Sequence, residues 1–555
     1  APELTLPFLH DFPDVRGSPW HAKPEHRYAL GFKCMGAFIG QPHWVAQRTR
    51  SALEAHLEPL TVVTQLGDVE QLRNSLQCKL LLMRWCSSAG ANHWLRLTPP
   101  SVMLQTSDVD GLSAASSHDA LLDAALATSL EIDEHSPRGQ HALTQARLPL
   151  ALSGLGLPSA VALSEPAFLA SLASVWHHIV RFIPDLASID FASDEAEGLP
   201  SLRDARYTHA RLESVHLLLA RRYAEAKADP ASAPKFAPRG LPPSLPSLSS
   251  FAASAPHKAQ TAFSAVVHHY AWSRLLEDVS ADGGDREAVR LISVSQPGAT
   301  DFHRCLPSRS DFVIESEVML VATQRQLGLP LSCLQGLDVD PLGDASINSH
   351  TDHTTRHNRL LLQWVVLLKR AHRHRSVVTS GPAVSLADDC IADAAVLDFH
   401  GPGCNLIIEN KLVSPLHGDG TAFDPAACRS AFAGSVPRMA SFIHTKYDGR
   451  LGRHRKTDLI HEVFGGIAPP GMSLLKRCAR MMCGRDLPGL DSADPLFPDF
   501  AESVSPSSMS SSDIPWAARS FLPYALQTLS RSIHSTVADQ ILDHARALRG
   551  ARHFA

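Results

Sequence analysis

Asp393-Ala-Ala-Val-Leu-Asp-Phe-His-Gly-Pro-Gly-Cys-Asn-Leu-Ile-Ile-Glu409-Asn-Lys411 sets an acid ahead of a short turn and then a Glu-x-Lys triplet on an apolar run. Asn405 to Val413 reads as a strand, because Leu406, Ile407, Ile408, Leu412 and Val413 give it a buried character. Side chains alternate across a strand, so Glu409 and Lys411 share one face. Gly401-Pro402-Gly403 supplies a turn that can fold Asp393 back beside them. Two carboxylates suit a hard divalent cation such as Mg²⁺. A neighbouring Lys can orient a water or stabilise charge on a phosphate.

That set of residues is the PD-(D/E)xK pattern of restriction-type nucleases, with Asp393 and Glu409 as the metal-holding acids and Lys411 as the catalytic cation. Taken alone, a Glu-x-Lys on a strand is usually a solvated face. The rest of the chain decides between the two.

The chain has 555 residues, which suggests three or four domains. Its net charge of −5 excludes a polycation, so any nucleic-acid surface must be a local patch. The 10 Cys are scattered with no close CxxC pair, which argues against a disulfide scaffold and for a reducing compartment. No apolar run is long enough to span a bilayer, and no signal peptide is visible. The first residue is not Met, as expected for a fragment or a processed piece. No phosphate-binding loop, GxSxG elbow or dinucleotide fingerprint is present.

Residues 31–39 read as a short strand or hairpin. Helical spacing of leucines runs from about 44 to 88, and further helices are expected at 117–132, 164–182 and 205–228. Residues 148–158 read as a Gly-punctuated loop. The Pro/Ser/Ala-rich stretch 229–256 reads as a linker, followed by a short helix at 257–278. Helices are expected at 310–330, 356–375, 424–447 and 516–549. Strands are expected at 391–399, 405–413 and 457–464, and a Ser-rich loop at 502–514.

Four stretches in order resemble one family. Gly31-Phe-Lys-Cys-Met-Gly-Ala-Phe-Ile-Gly40 is similar to the primer-grip segment of reverse transcriptases of non-LTR retrotransposons. Leu80-Leu-Leu-Met-Arg-Trp-Cys86 with Asn92-His-Trp-Leu-Arg-Leu-Thr-Pro-Pro100 looks like a thumb stretch of the same enzymes. Arg147-Leu-Pro-Leu-Ala-Leu-Ser-Gly-Leu-Gly-Leu157, followed by Ser159-Ala160, resembles their LPLRxGGLGLRSA run. Asp340-Pro-Leu-Gly-Asp344 and Arg356-His-Asn358 precede the Asp393/Glu409 region, which ends in Val413-Ser-Pro-Leu416. In the family this order is a Cys/His knuckle, an Arg-His-Asn helix start, the endonuclease acids and a VSPL strand end. The resemblance runs from Gly31 to about Gly466.

The departures carry information. Cys333 stands at one knuckle position, but Gln335, Ala345 and Ser349 stand where the other ligands would be. Four N, S or O ligands are needed for tetrahedral zinc, so no structural zinc is expected, and His350, His353 and His357 read as surface histidines. The Arg-Pro that precedes the first acid in the family is replaced by Cys390-Ile391-Ala392. A Lys on the following helix is often catalytic there; Lys446 fits that position and competes with Lys411. Asp398 is a reserve ligand and reads better as a hairpin residue. The paired Asp of a polymerase site is missing from its place: Asp388-Asp389 falls after the thumb-like region, so the palm would lie upstream of residue 1. As it stands the chain is expected not to copy RNA.

Two basic clusters bracket the acids in sequence. One is Lys369, Arg370, Arg373 and Arg375; the other is Arg453, Arg455 and Lys456. Together with Arg356 and His357 they are the expected nucleic-acid contacts, although cations at a helix C-terminus also favour the helix dipole.

The expected fold is mixed and mostly α: a helical thumb-like region plus an α/β PD-(D/E)xK-like nuclease domain. Its parts are a palm or primer-grip remnant (1–43), the thumb-like domain (44–228), the linker (229–256), a helical connector (257–332), the endonuclease domain (333–470) and a C-terminal helical region (471–555). The resemblance implies a Mg²⁺-dependent DNA-nicking enzyme that acts in the nucleus on target DNA and its element RNA, with no membrane and no small-molecule cofactor. A non-catalytic nucleic-acid-binding remnant is the alternative, and a free-standing nuclease with unrelated helical domains a third.

Overall fold

The computed structural model describes residues 31–65, 73–186, 200–228, 240–308, 310–348, 353–372, 376–428, 432–482 and 520–554, apart from isolated positions within them. It is mostly helical, with a two-stranded hairpin and a mixed four-stranded sheet.

The hairpin pairs β1 (Gly31–Cys34) with β2 (Ala37–Gly40), where the sequence indicated it. Phe38 of β2 stacks on Trp94 with ring centroids 5.2 Å apart, fixing the hairpin to the helices. The first helices are α1 (Pro42–Leu57), α2 (Pro59–Gln65), α3 (Ser75–Leu82, prolonged by a π turn over Met83–Ser88), α4 (Ala89–Leu97) and α5 (Pro100–Met103). Then come α6 (Ala114–Leu130), α7 (Pro137–Ala146), α8 (Ala160–Phe182) and α9 (Pro200–Ala228).

The Gly-rich run between α7 and α8 folds tightly on itself. A Cβ on Gly154 would stand 1.8 Å from the carbonyl oxygen of Leu148, so no larger residue fits there. Gln145 donates to the carbonyl of Ser153 at 2.9 Å, and Ser153 takes a left-handed φ of 72°. Buried Asp119 on α6 accepts from the Ala160 amide at 2.7 Å and pairs with Arg147 at 2.6 Å, which anchors the start of α8. Ser159 caps that helix by accepting from the Ala162 amide.

The expected linker is described over 240–252. There it packs: Phe251 is fully buried in a cluster with Leu169, Trp176, Leu212 and Phe263, and His209 and His216 reach the carbonyls of Pro246 and Pro242. The helix expected at 257–278 runs further, as α10 (Ala259–Val294). Gly284, at φ 60° and ψ −153°, is non-helical, so this range consists of two helical segments that meet at a kink.

The remaining helices are α11 (Ser316–Leu327), α12 (Asp344–Asn348), α13 (His353–Ala371), α14 (Ser435–Tyr447), α15 (Pro469–Met482) and α16 (Phe521–Phe554). The helix expected at 424–447 is a 3-10 turn over Pro425–Cys428 followed by α14. The expected loop at 502–514 lies outside the described residues.

The four-stranded sheet has the order β3 (Val377–Val378), β4 (Ala394–Val396), β5 (Leu406–Val413) and β6 (Arg455–Glu462). β3, β4 and β5 run antiparallel, and β6 lies parallel to β5 with α14 in the crossover. One sheet face carries Ala394, Val396, Leu406, Ile408 and Leu459 against Leu360 and Trp364 of α13, Leu474 and Leu475 of α15, and Phe521 and Leu529 of α16. The other carries Ala395, Ile407, Val413 and Ile460 against Ile443 and Tyr447 of α14. Trp364 is fully buried and its indole N–H donates to His461 Nε2 at 2.9 Å. Burial takes the His461 pKa down to about 3, so the imidazole is the neutral acceptor this bond requires.

A buried ionic network joins regions that the sequence separates. Arg286 donates to Asp344 at 2.9 Å, Arg290 to Glu287 at 2.6 Å and to Gln145 at 2.8 Å, and Arg325 to the carbonyl of Val463 at 2.9 Å. Asp344, expected in the knuckle segment, is thus an internal counter-ion. The largest apolar cluster likewise draws on Leu57, Leu126, Met319, Phe464 and Ile541. Packing is continuous across the expected boundaries at 256/257 and 332/333.

Candidate functional site

The site forms where β4 and β5 meet the start of α13 and the end of α14. Ala394 pairs with Ile408, and the Asp393 amide donates to the Ile408 carbonyl at 3.1 Å. The antiparallel register therefore brings Asp393 to the flank of Glu409. The turn at 397–405 makes this possible: Asp398, at φ 53°, accepts from the Gly403 amide at 2.5 Å and closes it. Asp398 is a hairpin residue in this fold, as its sequence setting indicated.

Strand alternation puts Glu409 and Lys411 on the face that meets α14. Lys411 Nζ lies 2.7 Å from Glu409 Oε1 and 3.4 Å from Asp393 Oδ2. One ammonium thus spans both carboxylates. Lys446, in the last turn of α14, holds both oxygens of Glu409 at 2.9 Å. Tyr447 donates its hydroxyl to Glu409 Oε2 at 2.5 Å. The Glu409 side chain is only 1% exposed, against 23% for Lys411 and 29% for Lys446, so the acid is internal and the cations form its outward side. Burial and the carboxylate of Glu409 together drive the Tyr447 phenol well above its usual range, and it stays a proton donor.

Asp393 is held from several sides. The Asn410 amide donates to its Oδ2 at 2.7 Å and His357 Nε2 lies 3.0 Å away. Desolvation opposes its charge, but these partners and Lys411 outweigh that and keep its pKa below the ordinary carboxylate value. The same contact raises the pKa of His357.

His357 is therefore joined to the acid cluster. Its neighbour Arg356 needs a correction. Arg356 is 3% exposed, with Nη2 2.7 Å from His353 Nδ1, so its guanidinium lies inside the fold and cannot meet a phosphate from solvent.

The basic clusters divide. Lys369 is exposed but stands twelve residues along α13 from His357, about 18 Å at 1.5 Å per residue. Arg370 lies over the Tyr524 ring at 4.7 Å and braces α13 on α16. Arg373 and Arg375 lie outside the described residues. In the second cluster Arg453 is exposed beside the Gly403 turn and Arg455 opens β6, also exposed. Lys456 folds back onto Asp458 at 2.7 Å and over the Tyr447 ring at 5.7 Å.

Two site residues were not singled out from the sequence. Tyr447 follows Lys446 but becomes visible as a donor only through its contact with Glu409. Asp458 stands opposite Glu409 in the parallel register and on the same sheet face as Lys456 and Ile460. The period-2 pattern of residues 455–462 is the signal that could have found it.

The donors of Asp393 and Glu409 are hard oxygens, the kind that suits Mg²⁺. Oxygens of both acids converge on one position, which the Lys411 ammonium takes up, and in chemistry this donor set suits a hard cation. Among the described residues no group of three or more His, Cys, Asp or Glu is placed to hold a metal. Mg²⁺ commonly uses only one or two carboxylates and keeps waters for the rest. Cys333 sits in a 3-10 turn (Ser332–Leu334), where its carbonyl accepts from Arg549 at 2.7 Å. No helix among the described residues is long and apolar enough to cross a membrane.

No known protein-family model matches this chain, and no curated protein matches it with significance.

Proposed function

We propose that this chain carries a metal-dependent nuclease centre that hydrolyses phosphodiester bonds in DNA. The observation that supports it best is the convergence of Asp393, Glu409, Lys411 and Lys446 at the central strands of a helix-flanked mixed sheet. Mg²⁺ bound by the two acids would supply Lewis acidity toward a phosphate. Lys411 bridges the acids and keeps them together. Of the two acids Lys446 engages Glu409, and it is the more exposed of the two lysines, so it is the better placed to meet an incoming phosphate oxygen. Tyr447 and His357 fix the orientation of the carboxylates.

With the resemblance described above, this reading makes the chain the C-terminal part of a non-LTR retrotransposon polyprotein. It would nick target DNA in the nucleus, in company with its element RNA, and leave polymerisation to residues outside this chain.

A second reading is favoured by one observation. The two carboxylates and two ammoniums already balance one another, so the cluster can persist as a structural ion network with no metal. The chain would then be a non-catalytic nucleic-acid-binding remnant.

Titration calorimetry with MgCl₂ separates the two. The nuclease reading expects saturable binding that is lost in Glu409→Ala. Equal heats for the wild type and the variant would support the remnant.

A further inference from the structure

Among the described residues of 376–482, two large apolar side chains stand conspicuously exposed, Ile391 and Phe442, each at 61%. Both adjoin the acid cluster in sequence: Ile391 is two residues before Asp393, and Phe442 is one helical turn before Lys446. The opposite side of α14 is spent on the sheet, through buried Ile443 and Tyr447. Arg438, Phe442 and Lys446 follow one another at i, i+4 and i+8, which lays them along one stripe with steps of about 6 Å. Arg438 and Phe442 are exposed, and Lys446 is partly so.

Phe442 thus presents an exposed ring on a stripe that carries a cationic side chain on either side of it. A protein partner would need a broad apolar patch on the order of 1,000 Å², and this helix offers one ring. A nucleotide matches the stripe by chemistry, with a π face for Phe442 and phosphate oxygens for Arg438 and Lys446. A base can present that face only when it is unpaired or splayed from its stack.

We infer that Phe442 is a base-stacking residue that takes an unpaired nucleobase beside the phosphate met by Lys446, so that the site prefers single-stranded or locally opened DNA to intact duplex. This rests on the nucleic-acid reading of the site.

The test uses the full chain in EDTA, so that binding is read without cleavage. The probes are a single-stranded DNA oligonucleotide carrying 2-aminopurine and the same strand annealed to its complement. Wild-type protein is expected to bind the single strand more tightly than the duplex and to quench the 2-aminopurine emission. Phe442→Leu is expected to weaken single-strand binding about tenfold and to remove the quenching, while Phe442→Trp restores both. Because Phe442 is exposed, the thermal midpoints of the variants report whether folding is intact. Wild-type affinity and quenching in Phe442→Leu would overturn the stacking role and leave the nuclease assignment standing. A wild-type chain that binds neither probe would overturn both.

Discussion

Lys446 Nζ lies 2.9 Å from each oxygen of Glu409, a symmetric clamp on a carboxylate that is itself 1% exposed. Lys411 reaches the same carboxylate from the strand. Two ammoniums on one internal acid make each lysine a partial substitute for the other. Lys411→Met and Lys446→Met are each expected to cost about 1–2 kcal/mol, and the double variant about 5 kcal/mol, more than the two together, because it strands a buried charge. Urea unfolding of the four proteins measures the coupling. Simple additivity would show that the lysines do not share Glu409.

Tyr447 donates to the same acid from a buried ring. Tyr447→Phe keeps the packing and removes one bond to a charged acceptor. A loss of about 1.5–3 kcal/mol in unfolding free energy is expected. An unchanged midpoint would mean that the hydroxyl contributes nothing to holding Glu409.

The His357–Asp393 contact sets a pH window. The His357 pKa is raised, so its contribution is complete below about pH 6.5 and fades as pH rises through the folded value. The Asp393 pKa is lowered, so its contribution is present above about pH 4 and fades as pH falls through the folded value. The stability difference between the wild type and His357→Gln should therefore be largest between about pH 4 and 6.5 and shrink toward pH 8. Thermal melts across that range check it, and a difference that grows with pH would contradict the pairing.

Glu462, at the end of β6, behaves in the opposite sense to Asp393. It is buried, among the described residues it accepts from the hydroxyls of Ser293 and Ser435, and burial raises its pKa. Its contribution is complete below about pH 4.5 and is lost as pH rises through the folded value. Glu462→Gln keeps an acceptor and a donor without the charge. It should melt higher than the wild type at pH 8 and converge with it at acidic pH. A variant that melts lower at pH 8 would mean that the charge finds compensation in the fold.

The acid–turn–Glu-x-Lys segment was legible because its geometry is local. A two-residue period and one turn suffice to place Asp393, Glu409 and Lys411 together. Lys446 came from the resemblance and lands on the same carboxylate. What the sequence hid is what depends on packing through space. Arg356 looks like a surface cation, yet α13 turns it inward. His357 looks like one of many histidines, yet its ring reaches Asp393. Asp458 gains its place only from parallel pairing with β5. The helix expected at 257–278 is followed, past non-helical Gly284, by a second helical segment in which Glu287 and Arg290 pair in the interior. The Pro- and Ser-rich composition of 229–256 suggests a free linker, whereas within it Phe251 ties 240–252 to a core. Composition reports average solubility and misses a single anchoring ring.

The central claim is that Asp393 and Glu409 form a cutting centre. Its most direct test is conversion of supercoiled plasmid to open circle by the purified chain in Mg²⁺, beside Asp393→Asn and Glu409→Gln. The nuclease assignment predicts nicking by the wild type, none in EDTA, and a loss of at least about a hundredfold in each variant. Intact plasmid with wild-type protein, or nicking that survives in both variants, would contradict it.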